Sequence, residues 1–106
     1  MVREITATEL KARRDAGRGP VVLDVREPWE LEIASLPGVV HIPTGEIQQR
    51  LGELNAGDEI VVMCRSGGRS REVARYLEQQ GFRSVANLAG GILAWGREVD
   101  PTLRAY

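Results

Sequence analysis

Ile60-Val61-Val62-Met63-Cys64-Arg65-Ser66-Gly67-Gly68-Arg69-Ser70 is the stretch on which the reading of this chain turns. Its first four residues are apolar and mostly β-branched, the pattern of a short buried strand. Beyond it, Val73, Ala74 and Leu77 share one helical face while Arg71, Glu72, Arg75 and Glu78 take the others, which predicts a helix over 69–80 closed by Gly81. Between strand and helix lies a polar, glycine-rich loop. Cys64, the chain's single cysteine, therefore stands at the carboxyl end of a strand, inside a loop that opens a helix. Free backbone N–H groups and the helix dipole favour an anion at such a place. A thiolate is an anion.

Working outward, the same alternation recurs. Thr6-Ala7-Thr8-Glu9 matches a capping box and predicts a helix from about Ala7 to Asp15, ended near Gly17 or Gly19-Pro20. Val21-Val22-Leu23-Asp24-Val25 is an apolar run interrupted only by Asp24 and reads as a strand buried on both faces. Pro28 can open a short helix reaching Ile33, and Leu36-Pro37-Gly38 turns the chain into a strand over 39–42. Thr44 is placed to cap a helix carrying Ile47, Leu51 and Leu54 on one face. Val85 to Leu88 is a further strand, and Gly90-Gly91 turns into a last helix bearing Ile92, Leu93 and Trp95. Strands alternating with helices predict an α/β fold, a parallel sheet with right-handed crossovers and helices on both faces. Ligands in such folds bind beyond the carboxyl ends of the strands, where Asp24-Val25-Arg26 and Cys64 both fall.

A length of 106 residues fits a single domain, with a hydrophobic content of 42% sufficient for a real core. The formal net charge of −1 gives no electrostatic ground for nucleic acid or an anionic membrane as partner. No apolar stretch approaches the roughly 20 residues of a membrane helix, and the first residues lack a secretory apolar core. One cysteine forms no intrachain disulfide and leaves a zinc site without further thiolates, so a reducing, cytoplasmic setting without metal or cofactor is expected.

A lone cysteine after an apolar strand is ordinarily a small inert hydrophobe. Here no apolar side chain follows it before Val73. Gly67 and Gly68 allow consecutive N–H groups to curl into an anion-binding nest, and Arg65 and Arg69 add positive charge. Those surroundings lower a thiol pKa from its usual value of roughly 8.5, so Cys64 is expected to be substantially ionised at neutral pH. Asp24, inside an apolar run, needs a partner and is read as support for the loop. Arg26 is read as either a salt-bridge partner or a substrate contact. His41 is read as structural, and Trp29 and Trp95 as packing helices onto the sheet.

Cys64-Arg65-Ser66-Gly67-Gly68-Arg69-Ser70, together with Leu23-Asp24-Val25-Arg26-Glu27-Pro28 upstream and Asn87-Leu88-Ala89-Gly90-Gly91-Ile92-Leu93-Ala94-Trp95 downstream, closely resembles the rhodanese (sulfurtransferase) family. The resemblance covers nearly the whole chain. It implies one rhodanese domain over 1–106, a three-layer α/β/α fold with a mostly parallel five-stranded sheet. It implies that Cys64 accepts a sulfane sulfur as a persulfide and passes it to a nucleophile. Arg65, Ser66, Gly67, Gly68 and Arg69 match the cradle around the sulfur, Ser70 the start of the next helix, and Asp24 and Arg26 the family's Asp-x-Arg. Ala34-Ser35-Leu36-Pro37-Gly38-Val39 departs from the usual Gly-His-Ile-Pro-Gly-Ala, at a loop contact or partner surface. The implied donor is a small anion such as thiosulfate, with 3-mercaptopyruvate not excluded. The implied acceptors are cyanide, a thiol such as glutathione, thioredoxin or a sulfur-carrier protein.

Two rivals stand beside this reading. Cysteine phosphatases and arsenate reductases use a similar strand–loop–helix cradle, with five residues between cysteine and arginine. Here four residues separate Cys64 from Arg69, and Ser70 fills the position a phosphatase requires for arginine. The smaller ring suits one sulfur atom. The second rival is a binding or sulfur-carrying module that uses the same Cys64.

Overall fold

In the computed structural model, which describes residues 2–106, the strand read at 60–63 is the centre of a five-stranded sheet. The elements run β1 (Arg3–Ile5), α1 (Ala7–Asp15), β2 (Val21–Asp24), α2 (Pro28–Ile33), β3 (Val40–His41), β4 (Glu59–Met63), α3 (Gly68–Gln79), β5 (Ser84–Leu88) and α4 (Gly91–Glu98). The sheet order is β1-β5-β4-β2-β3, and every pairing described is parallel. The fold is α/β, as expected.

The period of two along β4 divides the core. Val61 and Met63 point into one apolar cluster with Leu10, Leu36, Ile92 and Trp95. Ile60, Val62 and Cys64 point into the other with Ile42, Ile47, Val73 and Leu77. One layer therefore carries α1 and α4, and the opposite layer carries α3 and the segment 44–54. The α1 capping box forms as read, with Glu9 N donating to Thr6 Oγ1 at 3.1 Å and Thr6 N to Glu9 Oε1 at 3.1 Å.

The structure adds one strand and corrects two local expectations. Arg3–Ile5 has one apolar residue beside two charged ones and so carries no strand period in the sequence. It becomes the sheet edge by pairing Arg3 with Ala86 and Ile5 with Leu88. The segment 44–54 is not an α-helix but two single-turn 3-10 helices, Thr44–Glu46 and Leu51–Glu53. Gly45 and Gly52 weaken α-helix formation there, and Thr44 lies inside the first turn with Pro43 at its cap position and no side-chain cap, its amide donating to the Val25 carbonyl at 3.1 Å. Ile47 is nonetheless buried, and Leu51 and Leu54 pack against the second cluster as the spacing required. Trp29 does not pack a helix onto the sheet: it is 58% exposed, while Trp95 is buried. In the first turn of α2 the inward position belongs to Glu30, which is buried.

Candidate active site

β4 delivers Cys64 to the carboxyl edge of the sheet, and the chain then closes into α3 with Gly67 as its N-cap at φ +109°. That conformation is strained for any residue with a Cβ. It turns the Gly67 amide back onto Cys64 Sγ at 3.1 Å. Ser70, buried in the first turn of α3, adds its amide at 3.4 Å and its hydroxyl oxygen at 3.2 Å from the same sulfur. Burial pushes the Cys64 thiol up, but hydrogen bonds from the Ser70 hydroxyl and from the Ser70, Gly67 and Ser66 amides outweigh it and leave the pKa below its ordinary value. The loop is also fastened from behind. Ile92 N donates to the Cys64 carbonyl at 2.9 Å and Leu93 N to the Arg65 carbonyl at 3.2 Å. The first turn of α4 thus spends its free amides on the loop.

A second cluster of charge joins the end of β2 and the start of α2 to Arg69 and Tyr106. Asp24 and Arg26 are fully buried and paired, with Arg26 Nη2 at 2.8 Å from Asp24 Oδ2 and Arg26 Nε at 3.0 Å from Oδ1. Arg26 also donates to the Ala34 carbonyl at 2.8 Å and to the Tyr106 hydroxyl oxygen at 2.8 Å. Of the two roles open to Arg26, the geometry shows the ion pair. Arg69 forms a bidentate pair with Glu30 at 2.7 and 2.8 Å, and Tyr106 donates to Glu30 Oε1 at 2.9 Å. Arg69 beside it holds the Glu30 carboxyl down to about pKa 2 against the effect of burial, helped by the Glu27 amide and Tyr106. The Arg65 guanidinium lies 5.2 Å from the centre of the Tyr106 ring.

The sequence reads both arginines as positive charge within a few residues of the sulfur. The structure pairs Arg69 with the Glu30 carboxylate and sets Arg65 against the Tyr106 ring and backbone oxygen, and the donors within hydrogen-bond distance of the thiol are backbone amides and the Ser70 hydroxyl. Ser66, Gly67, Gly68 and Ser70 are brought around Cys64 as one loop. Asp24 and Arg26 reach it through Glu30 and Arg69, by way of Tyr106. His41 Nε2 sits 2.7 Å from the Arg26 carbonyl oxygen, on the β2–β3 side of the site.

Residue-by-residue reading passed over four participants. Glu30 and Tyr106 carry no local signal. Asn87 and Glu4 join the loop from β5 and β1: Asn87 Nδ2 donates to the Gly67 carbonyl at 3.1 Å and to both Glu4 carboxylate oxygens at 3.2 Å. An asparagine inside the apolar strand 85–88 was the available signal, since a buried amide needs partners. A cavity of about 410 Å³ opens beside Arg69, between the Thr44–Gln48 turn and α3, walled by Ile47, Val73 and Tyr76. Among the described residues no cluster of His, Cys, Asp and Glu could hold a metal, and no helix is long and apolar enough to cross a membrane.

A family model described as a rhodanese-like domain matches residues 6–98. A Bacillus subtilis protein provisionally named a sulfur carrier is 45% identical over 94 residues, covering 89% of this chain and 51% of that one, so the chain spans about half of that relative. A protein of Allochromatium vinosum named sulfurtransferase is 37% identical over 101 residues and covers 95% of this chain and 94% of its own. Among solved structures, a rhodanese-like domain protein from Staphylococcus aureus superposes with a TM-score of 0.86 at 30% identity, covering 99% of both chains.

Proposed function

The chain belongs to the rhodanese-like domain family, and from that premise we propose that it is a sulfurtransferase whose Cys64 carries the transferred sulfur. The observation that bears most on this reading is the ring of donors around Cys64 Sγ, formed by the Gly67 and Ser70 amides and the Ser70 hydroxyl. Such donors favour the ionised sulfur without a histidine base. In the first half-reaction the Cys64 thiolate attacks the outer sulfur of a donor such as thiosulfate. The new S–S bond forms as the donor's S–S bond breaks, and sulfite leaves with the electron pair. In the second, a thiolate or cyanide attacks the outer sulfur of the persulfide and Cys64 leaves as thiolate. The loop amides would then serve the terminal sulfur, which carries the charge of the persulfide between the two steps.

Thiosulfate is the donor proposed, because the outer faces of Arg65 and Arg69 lie beside the loop; Arg69 keeps 38% of its side chain exposed despite its pairing with Glu30. The cavity beside Arg69 is large enough for a thiol acceptor, and a protein acceptor such as thioredoxin or a sulfur-carrier protein is the alternative. A sulfur-carrying role is supported by the name of the Bacillus relative, and it uses the same persulfide. A cysteine phosphatase or arsenate reductase is disfavoured by Ser70, whose buried hydroxyl occupies the position where a phosphate cradle needs arginine. A cytoplasmic location is part of the proposal, since a thiol that must stay reduced suits a reducing compartment.

Intact mass measurement after incubation with thiosulfate tests the reading. Wild type should gain one sulfur that cyanide removes, and Cys64→Ser should gain none. No adduct with thiosulfate, 3-mercaptopyruvate or a persulfide donor overturns it, as does turnover of p-nitrophenyl phosphate without sulfur uptake.

A further inference from the structure

Ser70 Oγ lies 3.2 Å from Cys64 Sγ and 2.5 Å from Asn87 Oδ1. A serine hydroxyl has one proton, so it donates to only one of them at a time. The orientation of Asn87 is not free. Its Nδ2 faces the Glu4 carboxylate and the Gly67 carbonyl, which are acceptors only, and this fixes Oδ1 toward Ser70. Both Ser70 and Asn87 are fully buried, so neither meets bulk solvent and the acceptor left out bears a cost.

We propose that Asn87 is a positioning residue that competes with Cys64 for the Ser70 proton, making the hydroxyl a two-position switch set by the charge on the sulfur. With Cys64 protonated, S–H donates to Ser70 Oγ and the hydroxyl donates to Asn87. When Cys64 ionises, the hydroxyl turns to the thiolate and Asn87 Oδ1 loses its donor. The proton stays on Ser70 throughout. On the function proposed above, Sγ becomes a neutral, poor acceptor while it carries an outer sulfur, and the hydroxyl returns to Asn87. It swings back as Cys64 departs as thiolate, so the interaction strengthens where charge develops. Asn87 thus restrains ionisation of the resting thiol, in opposition to the loop amides.

The charged and titratable groups on the elements packed about Cys64 are Arg69 of α3 with Glu30 of α2, Arg65 with Tyr106, Asp24 of β2 with Arg26 just beyond it, His41 of β3 and Glu4 of β1, which pairs with Arg71. None of them is substituted in the variants that follow; Asn87→Ala also takes an amide from Glu4 and from the Gly67 carbonyl, and the Ser70→Ala background separates that effect from the competition for the Ser70 proton.

The test is the pH profile of Cys64 alkylation by iodoacetamide, without any sulfur donor. Ser70→Ala should raise the midpoint and Asn87→Ala should lower it, each by about half a pH unit, roughly a threefold change in the thiolate equilibrium. In the Ser70→Ala background, Asn87→Ala should have no further effect. A raised or unmoved midpoint in Asn87→Ala overturns the proposal, as does an equal shift in both backgrounds; either would reduce Asn87 to an anchor for the Gly67 carbonyl. Should Asn87→Ala fail to fold, the wild type carries the test by NMR. The Asn87 side-chain amide resonances should titrate with Cys64, and should cease to do so in Ser70→Ala; resonances that stay flat in wild type overturn it. Failure of sulfur uptake would sink the proposed function while leaving these midpoints unchanged.

Discussion

Asp24 and Arg26 show how much of this site depends on single buried charges. Neither has solvent contact, and the guanidinium is shared between one carboxylate, two backbone carbonyls and the Tyr106 hydroxyl. Removing one partner of such a pair strands the other, which costs more than the pair contributes. Asp24→Asn is therefore expected to destabilise the fold by about 3–5 kcal/mol, read as a lower urea midpoint; a loss under about 1 kcal/mol would show that the carbonyls alone satisfy Arg26. The sequence flagged Asp24 as needing a partner, because a carboxylate in an apolar run is intelligible only when paired. It left Arg26 open, since two residues of separation on a strand end do not say whether a side chain turns inward. Cys64 was the most legible residue, as its donors come from the six residues that follow it.

At the level of elements, the contact between the cysteine loop and α4 sets the tightest constraint. Gly91 has φ +60°, and a Cβ there would sit 2.5 Å from the Cys64 carbonyl oxygen, far inside van der Waals contact. Gly91→Ala combines that overlap with an unfavourable backbone region and should cost on the order of 3 kcal/mol. It should also shift the amides of Ile92 and Leu93 off the loop carbonyls, so thermal unfolding and the Cys64 alkylation rate should fall together. An unchanged melting temperature would refute the close approach. The capping box of α1, the proline that opens α2 and the apolar face of α3 were readable because each is a local pattern. The segment 44–54 was misread because the same spacing of Ile47, Leu51 and Leu54 serves successive 3-10 turns as well as one helix.

Across the molecule, the Glu30–Arg69 pair ties α2 to α3 over the carboxyl edge of the sheet. The Glu30 pKa of about 2 lies below that of an unfolded glutamate, so this contribution is complete above about pH 4.5 and disappears as pH falls toward 2. The loss should amount to about 2 kcal/mol, less than the full linkage value because Arg69 is partly solvated. Urea unfolding between pH 6 and pH 2.5 should show Glu30→Gln closing most of that gap with wild type as the pH drops. A constant difference between the two proteins would refute the assignment. The depressed thiol pKa of Cys64 acts with the same sign, its stabilisation present above the pKa of an unfolded cysteine and lost as pH falls through the lower folded value.

The alternation of strands and helices, the cradle at Cys64 and the family resemblance could all be read along the chain, because periodicity, caps and turn residues act over a few positions. What the sequence could not supply were contacts across long separations. Arg3–Ile5 is a strand only because β5 lies beside it, Trp29 is exposed because Glu30 turned inward to Arg69, and Asn87 meets Ser70 only when β5 is laid against β4 and α3. Local energies of chain geometry wrote the elements and the sulfur's ring of donors. Burial and pairing of polar groups from distant segments, which no local pattern encodes, decided what stands behind that ring.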